Sequence, residues 1–162
     1  MALTNAQLQT LKAAILADPE LAAFPNTLDG AFDLAVKLQE TAAPAFVVGR
    51  TSVSQSEIIL NGFDWTRVDN LSVGKARIWE WMFQFGSIDP SKVNVRAGID
   101  TVWVGTQADL NVRAAVYVHC KRSANRGEKI FAAGTGSDAS PATMAVEGTI
   151  NYQDIFAARN LP

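Results

Sequence analysis

Leu8, Leu11 and Ile15 fall on one face at the spacing of an amphipathic helix, and Thr4 with Gln7 stands ahead of them as a capping box. Asp18-Pro19 interrupts that helix and caps a short continuation through Leu21 and Phe24, because proline is tolerated at the first helical position and not inside. The stripe Ala31, Leu34, Ala35 and Leu38 predicts a second helix from Leu28 to about Glu40, and Pro44 ends the signal. Residues 45–53 (AFVVGRTSV) are rich in β-branched side chains but have no recognisable partner strand, which predicts an extended connecting arm.

Ser54-x-x-Glu57 is a second capping box, opening a short helix through Ile58, Ile59 and Leu60 that Gly62 closes. Asp64-Trp65-Thr66-Arg67 reads as a turn. From Val73 to Phe85 the helical pattern is apolar over more than half its circumference: Ile78, Trp79, Trp81, Met82, Phe83 and Phe85 surround a narrow edge of Arg77, Glu80 and Gln84. Such a helix must be covered on several sides. Asp89-Pro90 predicts the start of the next helix, with Val95, Ile99, Val102 and Trp103 as its stripe. Thr106-x-x-Asp109 caps what reads as the longest helix, about Gln107 to Ala133, with Leu110, Tyr117, Cys120, Ala124 and Phe131 facing inward and Gly134 as its stop. Gly134 to Ala142 is small and polar, a tether by composition, and Asn151 caps a last short helix holding Ile155, Phe156 and Ala157. The expected architecture is mainly α: a compact helical bundle, with an extended connector near 45–53 and a C-terminal tail ending in a short helix. Its division is a body over 1–133 and a tether with an anchoring segment over 134–162.

Composition narrows the chemistry. The 162 residues suit one domain, and the charged fraction of 19% lies below the ~25% of an average soluble domain. A net charge of −2 excludes a histone-like positive surface but leaves room for a local basic strip. One cysteine and one histidine exclude an intrachain disulfide and leave little for a His/Cys metal centre. No segment approaches ~18 unbroken apolar residues, and the opening residues lack the basic region of a signal peptide, so the expectation is a cytoplasmic product away from membranes.

Candidate chemistry is sparse, and the expectation is a protein that is not an enzyme and holds no metal or cofactor. His119 and Cys120, as helical neighbours, point about 100° apart and form no nucleophile–base pair. Gly134-Thr135-Gly136 follows a predicted helix, whereas a phosphate loop follows a strand and opens a helix. Asp29 and Asp33, four apart, are more simply two solvated carboxylates than a metal or proton site. The long predicted helix places His119, Arg122, Arg126 and Lys129 on one basic ridge, either a solvated face or one turned toward DNA or a partner. Trp79, Trp81, Phe83, Phe85 and Trp103 are candidate subunit-contact aromatics, since their helical spacing favours core or interface over a base-stacking platform.

Three stretches carry a resemblance: LTNAQLQTLKAAILADPELAAF, WTRVDNLSVGKARIWEWMF and the run from VRAAVYVHCKRSANRGEKIF to QDIFAARNLP. Together they resemble the small helical proteins encoded in the structural gene blocks of tailed bacteriophages and prophages. The resemblance implies a virion protein of the neck, most like a head-tail connector (adaptor, head-completion) protein, made in the host cytoplasm. Such a protein forms a homo-oligomeric ring, commonly of twelve subunits, below the portal, continues the DNA channel with non-specific DNA contact, and meets tail or nozzle components. It holds the portal with an extended C-terminal segment, for which Tyr152, Ile155, Phe156 and Leu161 are the candidate anchors, and truncation from Gly134 is then expected to leave a folded body. The alternatives are an internal or ejected virion protein and a small phage DNA-binding protein.

Overall fold

Two hydrophobic stripes that lie far apart in the sequence close on each other in the computed structural model, which describes residues 2–60 and 62–162. The first unit joins the chain up to Phe46 with Ser123–Pro162, and the second, Val47–Arg122, is inserted between those segments. Each unit has its own core.

In the first unit, α1 (Asn5–Ala17) and α2 (Pro19–Ala22) start where their caps predict, and α3 (Leu28–Gln39) starts where its stripe does, with Thr27 as its cap. Thr4 and Gln7 form the reciprocal capping box, and Asp18 accepts from the amides of Glu20 and Leu21. Leu8, Leu11 and Ile15 of α1 and Ala31, Leu34, Ala35 and Leu38 of α3 are buried, as their periodicity requires. The other side of this core comes from the end of the chain, from α8 (Arg126–Phe131) and α9 (Tyr152–Arg159), between which lies the hairpin of β5 (Ala132–Ala133) and β6 (Thr143–Met144).

The inserted unit holds β1 (Val47–Gly49), β2 (Val53–Ser54), α4 (Gln55–Ile59), a 3-10 turn (Trp65–Asn70), α5 (Val73–Met82), β3 (Ser87–Ile88), α6 (Val93–Val102), α7 (Gln107–His119) and β4 (Lys121–Ser123), which runs to the boundary. β2 pairs antiparallel with β3, placing Val53 opposite Ile88, and β1 pairs with β4 where the chain enters and leaves the unit. The core gathers Val53, Ile58, Ile88, Ile99, Val102, Val112, Val116 and Cys120 around a cluster of Phe63, Trp79, Phe83 and Trp103. Within it, Trp79 lies parallel to Phe63 at 5.9 Å and edge-on to Trp103 at 5.4 Å and Phe83 at 4.9 Å, separations at which aromatic pairs add to simple burial.

The mainly α class is the one the periodicity predicts, but four local expectations change. The arm over 45–53 is paired, since β1 finds its partner in β4, more than 70 residues downstream, and β2 pairs with β3, about 35 residues downstream. Asp89-Pro90 does not open α6: Asp89 instead accepts from the Ser91 amide and hydroxyl, and the helix begins at Val93 without a side-chain cap. The predicted long helix stops at His119, because Lys121–Ser123 pairs as a strand and Asn125 with Glu128 makes a fresh capping box for α8. Finally, the boundary placed at 133/134 is replaced by boundaries at 46/47 and 122/123.

The C-terminal stretch is therefore no tether. Its small residues form the loop of the β5–β6 hairpin, and Gly136, at φ +63°, lies so close to the Phe46 ring that a Cβ there would overlap it. Beyond the hairpin, Val146 and Ile150 enter the first core, and α9 packs between α1 and α3. Polar bonds fix the same segment: Leu3 donates its amide to Asp154, Lys12 reaches the Leu161 carbonyl at 2.6 Å, and Arg159 donates to the Phe24 and Pro25 carbonyls.

Candidate interaction surface

The four cations expected on one ridge are divided between the units. His119 closes α7, Arg122 lies in β4, and Arg126 and Lys129 belong to α8. Arg126 is held by Glu20 at 2.7 Å and Asp18 at 2.9 Å, which raises its pKa, with Glu40 at 3.9 Å; Glu20, bonded by Lys37 first and by Arg126 second, has its pKa lowered. Lys129 stands 5.6 Å over the Phe46 ring, a cation–π arrangement. These two cations act in tertiary packing, and the continuous basic face disappears with the helix that would have carried it.

The C-terminal anchors are likewise engaged at home. Ile155 is fully buried, Phe156 and Leu161 pack half-buried against the same core, and Tyr152 is the most exposed of the four, 6.3 Å from the ring of Phe32. Of the subunit-contact aromatics, Trp79, Phe83 and Trp103 are buried in the second core, whereas Trp81 and Phe85 are 72% and 92% exposed.

Among the exposed apolar side chains of the described residues, two sets line up in rows, one on each unit. On α5, Val73, Arg77 and Trp81 follow each other at intervals of four, so they project in one row away from the buried Trp79. Gly86, at φ +81°, ends this segment, and the Phe83 carbonyl accepts the Gly86 amide at 2.7 Å, leaving Phe85 at the rim. Beside Trp81 lies a surface depression of about 420 Å³ lined by Gln55, Glu80, Phe83 and Gln84. On α3, Leu28, Phe32 and Val36 form a second row at the same spacing, flanked by exposed Asp29 and Asp33. Exposed large apolar groups in a contiguous row mark contact surfaces more often than single ones do.

Polar networks hold the inserted unit in shape. Arg50 pairs with Glu57 through both terminal guanidinium nitrogens and donates to the His119 carbonyl at 3.2 Å, joining the end of β1, α4 and the end of α7; the guanidinium lowers the pKa of Glu57. Arg67 grips Asp109 at 2.7 and 3.2 Å, and the second oxygen of Asp109 accepts from the Thr106 amide and hydroxyl. That guanidinium, followed by the Thr106 bonds, brings the Asp109 carboxyl down to about 2 from an ordinary 3.8.

A carboxyl whose pKa falls on folding stabilises the native state fully above its unfolded value, and that contribution disappears as the pH drops toward the folded one. Wild-type protein will lose stability between about pH 4 and about pH 2 in part through Asp109. Asp109→Asn will flatten the decline. All four tryptophans lie in this unit, so urea midpoints read by tryptophan fluorescence across that range measure its stability; an unchanged pH slope in the variant contradicts the assignment.

The sequence's other chemical candidates are placed apart or sealed. Cys120 is buried, and that burial pushes its thiol up to about 12, so it is protonated and enclosed at neutral pH. Asp29 and Asp33 are exposed, and among the described residues no cluster of three or more His, Cys, Asp or Glu is placed to hold a metal ion. Among those residues no helix is long and apolar enough to cross a membrane. No protein-family model, curated protein or solved structure matches the chain.

Proposed function

We propose that the chain is a structural protein of a tailed-phage virion, a head-tail connector whose copies assemble in a ring beneath the portal. The single observation that carries this reading is the outward aromatic edge of α5. Trp79 and Phe83 fill the core, while Trp81 and Phe85 of the same segment stand in solvent, a cost in apolar exposure that a partner surface relieves. The resemblance of the three sequence stretches supplies the setting. In this reading attachment to the portal uses surfaces of the folded units, because the C-terminal helix is occupied by its own core.

The test compares full and DNA-emptied particles by gel and by labelled-antibody electron microscopy. The protein is expected at the neck in both, and a Trp81→Ser/Phe85→Ser double variant, folded by circular dichroism, is expected to be missing from particles. Absence of the wild-type protein from particles overturns the reading, and its loss together with the DNA favours an ejected internal protein instead.

A further inference from the structure

Within that reading of the chain as an assembling protein, we propose that the two exposed rows are the two halves of one contact. The α3 row of one copy (Leu28, Phe32, Val36) receives the α5 row of the next (Val73, Arg77, Trp81), with Phe85 at its edge. The occupant of each surface is thus a second copy of this chain, joined head to tail.

Geometry and charge both support the match. Each row runs at intervals of four along its helix, and such rows interdigitate when two helices cross at about −50°. Each presents large apolar groups that the chain itself leaves uncovered. The α3 row is bordered by Asp29 and Asp33, and the α5 row contains Arg77; among the described residues none of the three has a hydrogen-bond or ion-pair partner. The other charges nearby are tied elsewhere or lie at the border: Lys37 of α3 is bonded to Glu20 and Glu40, Lys75 of α5 donates to the Val104 carbonyl, and exposed Glu80 borders the α5 row one turn beyond Arg77.

Charge also selects the symmetry. Two α3 rows facing each other would bring four carboxylates together, whereas the mixed pair places Asp29 and Asp33 against Arg77. A contact between unlike patches repeats from copy to copy, closing into a ring where the rotation allows. Two short rows bury less than the ~800 Å² per partner of a stable dimer, so each contact is weak and assembly depends on concentration. Trp81 and Arg77 are the residue types that dominate such contacts.

The test uses full-length protein by sedimentation and small-angle scattering, up to about 1 mM so that even a millimolar contact is populated. Wild type is expected to form multimers as concentration rises. Phe32→Asp and Trp81→Asp, both at exposed positions and checked for folding by circular dichroism, are each expected to remain monomeric. Their equimolar mixture is expected to form a heterodimer and nothing larger, since each variant keeps one intact half. As a second pair that leaves the apolar groups in place, Asp33→Lys and Arg77→Glu are each expected to weaken assembly at least tenfold, and the doubly reversed protein to recover it. A mixture that stays monomeric, or either aspartate variant assembling like wild type, overturns the contact. Those outcomes leave the protein's retention in particles unaffected, which separates failure of this contact from failure of the connector reading.

Discussion

Removal of residues 151–162 will unfold the first unit rather than release a dispensable tail. The deleted segment carries Ile155 and Ala158, both fully buried, with Phe156 and Leu161 packed against the same core. Truncating one buried isoleucine to alanine costs about 2–5 kcal/mol, and a whole domain commonly has only about 5–15 kcal/mol in hand. Loss of the helix removes several such groups at once and bares Leu11 and Leu34 on the helices it covers. It also strips Leu3 of its Asp154 acceptor and Lys12 of the Leu161 carbonyl. Every tryptophan lies in the inserted unit, so the first unit needs a probe of its own. Amide hydrogen exchange in α1 and α3 reports it directly: protection there is expected to fall to that of an unfolded segment, and persistence of slow exchange would falsify the packing described for α9.

The contrast with the sequence expectation has a physical origin. Caps and stripes are local, and the chain states them plainly: Thr4/Gln7, Asp18-Pro19, Ser54 and Thr106/Asp109 all open helices where expected. What covers a stripe is non-local. Nothing in the pattern of α9 says whether Ile155 meets a partner protein or Leu34 of its own chain, and a glycine- and serine-rich stretch reads equally as a tether or as a hairpin loop. The break after His119 was legible in part. Asn125-x-x-Glu128 is a capping box in the middle of the supposed long helix, and its buried Glu128 accepts the amides of both Asn125 and Gly148. The strand over Lys121–Ser123 was not, because its partner β1 is some 70 residues earlier.

The same limit explains the fate of the candidate site residues. An all-round apolar helix announces that it needs cover, and for Trp79 and Phe83 the cover is Phe63 and Trp103 of the same unit. Trp81 differs from Trp79 only in angle around α5, Phe85 lies in the turn beyond the helix, and it is the position of α6, invisible in the local pattern, that decides which side is sealed. The basic ridge failed for a complementary reason. A spacing of three and four makes a ridge only if the helix is continuous, and Arg126 moved instead to the carboxylates of Asp18 and Glu20, more than a hundred residues away.

Trp103→Ala will cost the inserted unit about 3–5 kcal/mol, the usual range for deleting a fully buried large aromatic. Trp103 stands edge-on to both Phe63 and Trp79, so its removal opens a cavity between rings and breaks two aromatic contacts at once. Trp103→Phe separates packing from polarity. The indole nitrogen of Trp103 is buried and has no hydrogen-bond partner among the described residues, a burden of about 1–3 kcal/mol that phenylalanine removes. The smaller ring forfeits some contact, on the order of 1–3 kcal/mol by the cost of lost buried methylenes, so the two effects nearly cancel. The expected urea midpoints, read from the remaining tryptophans, are therefore close to wild type for phenylalanine and far below it for alanine. If phenylalanine proved as damaging as alanine, the indole nitrogen would have to hold a partner that secures the ring, and Trp103 would be a polar anchor of the core instead of its central packing element.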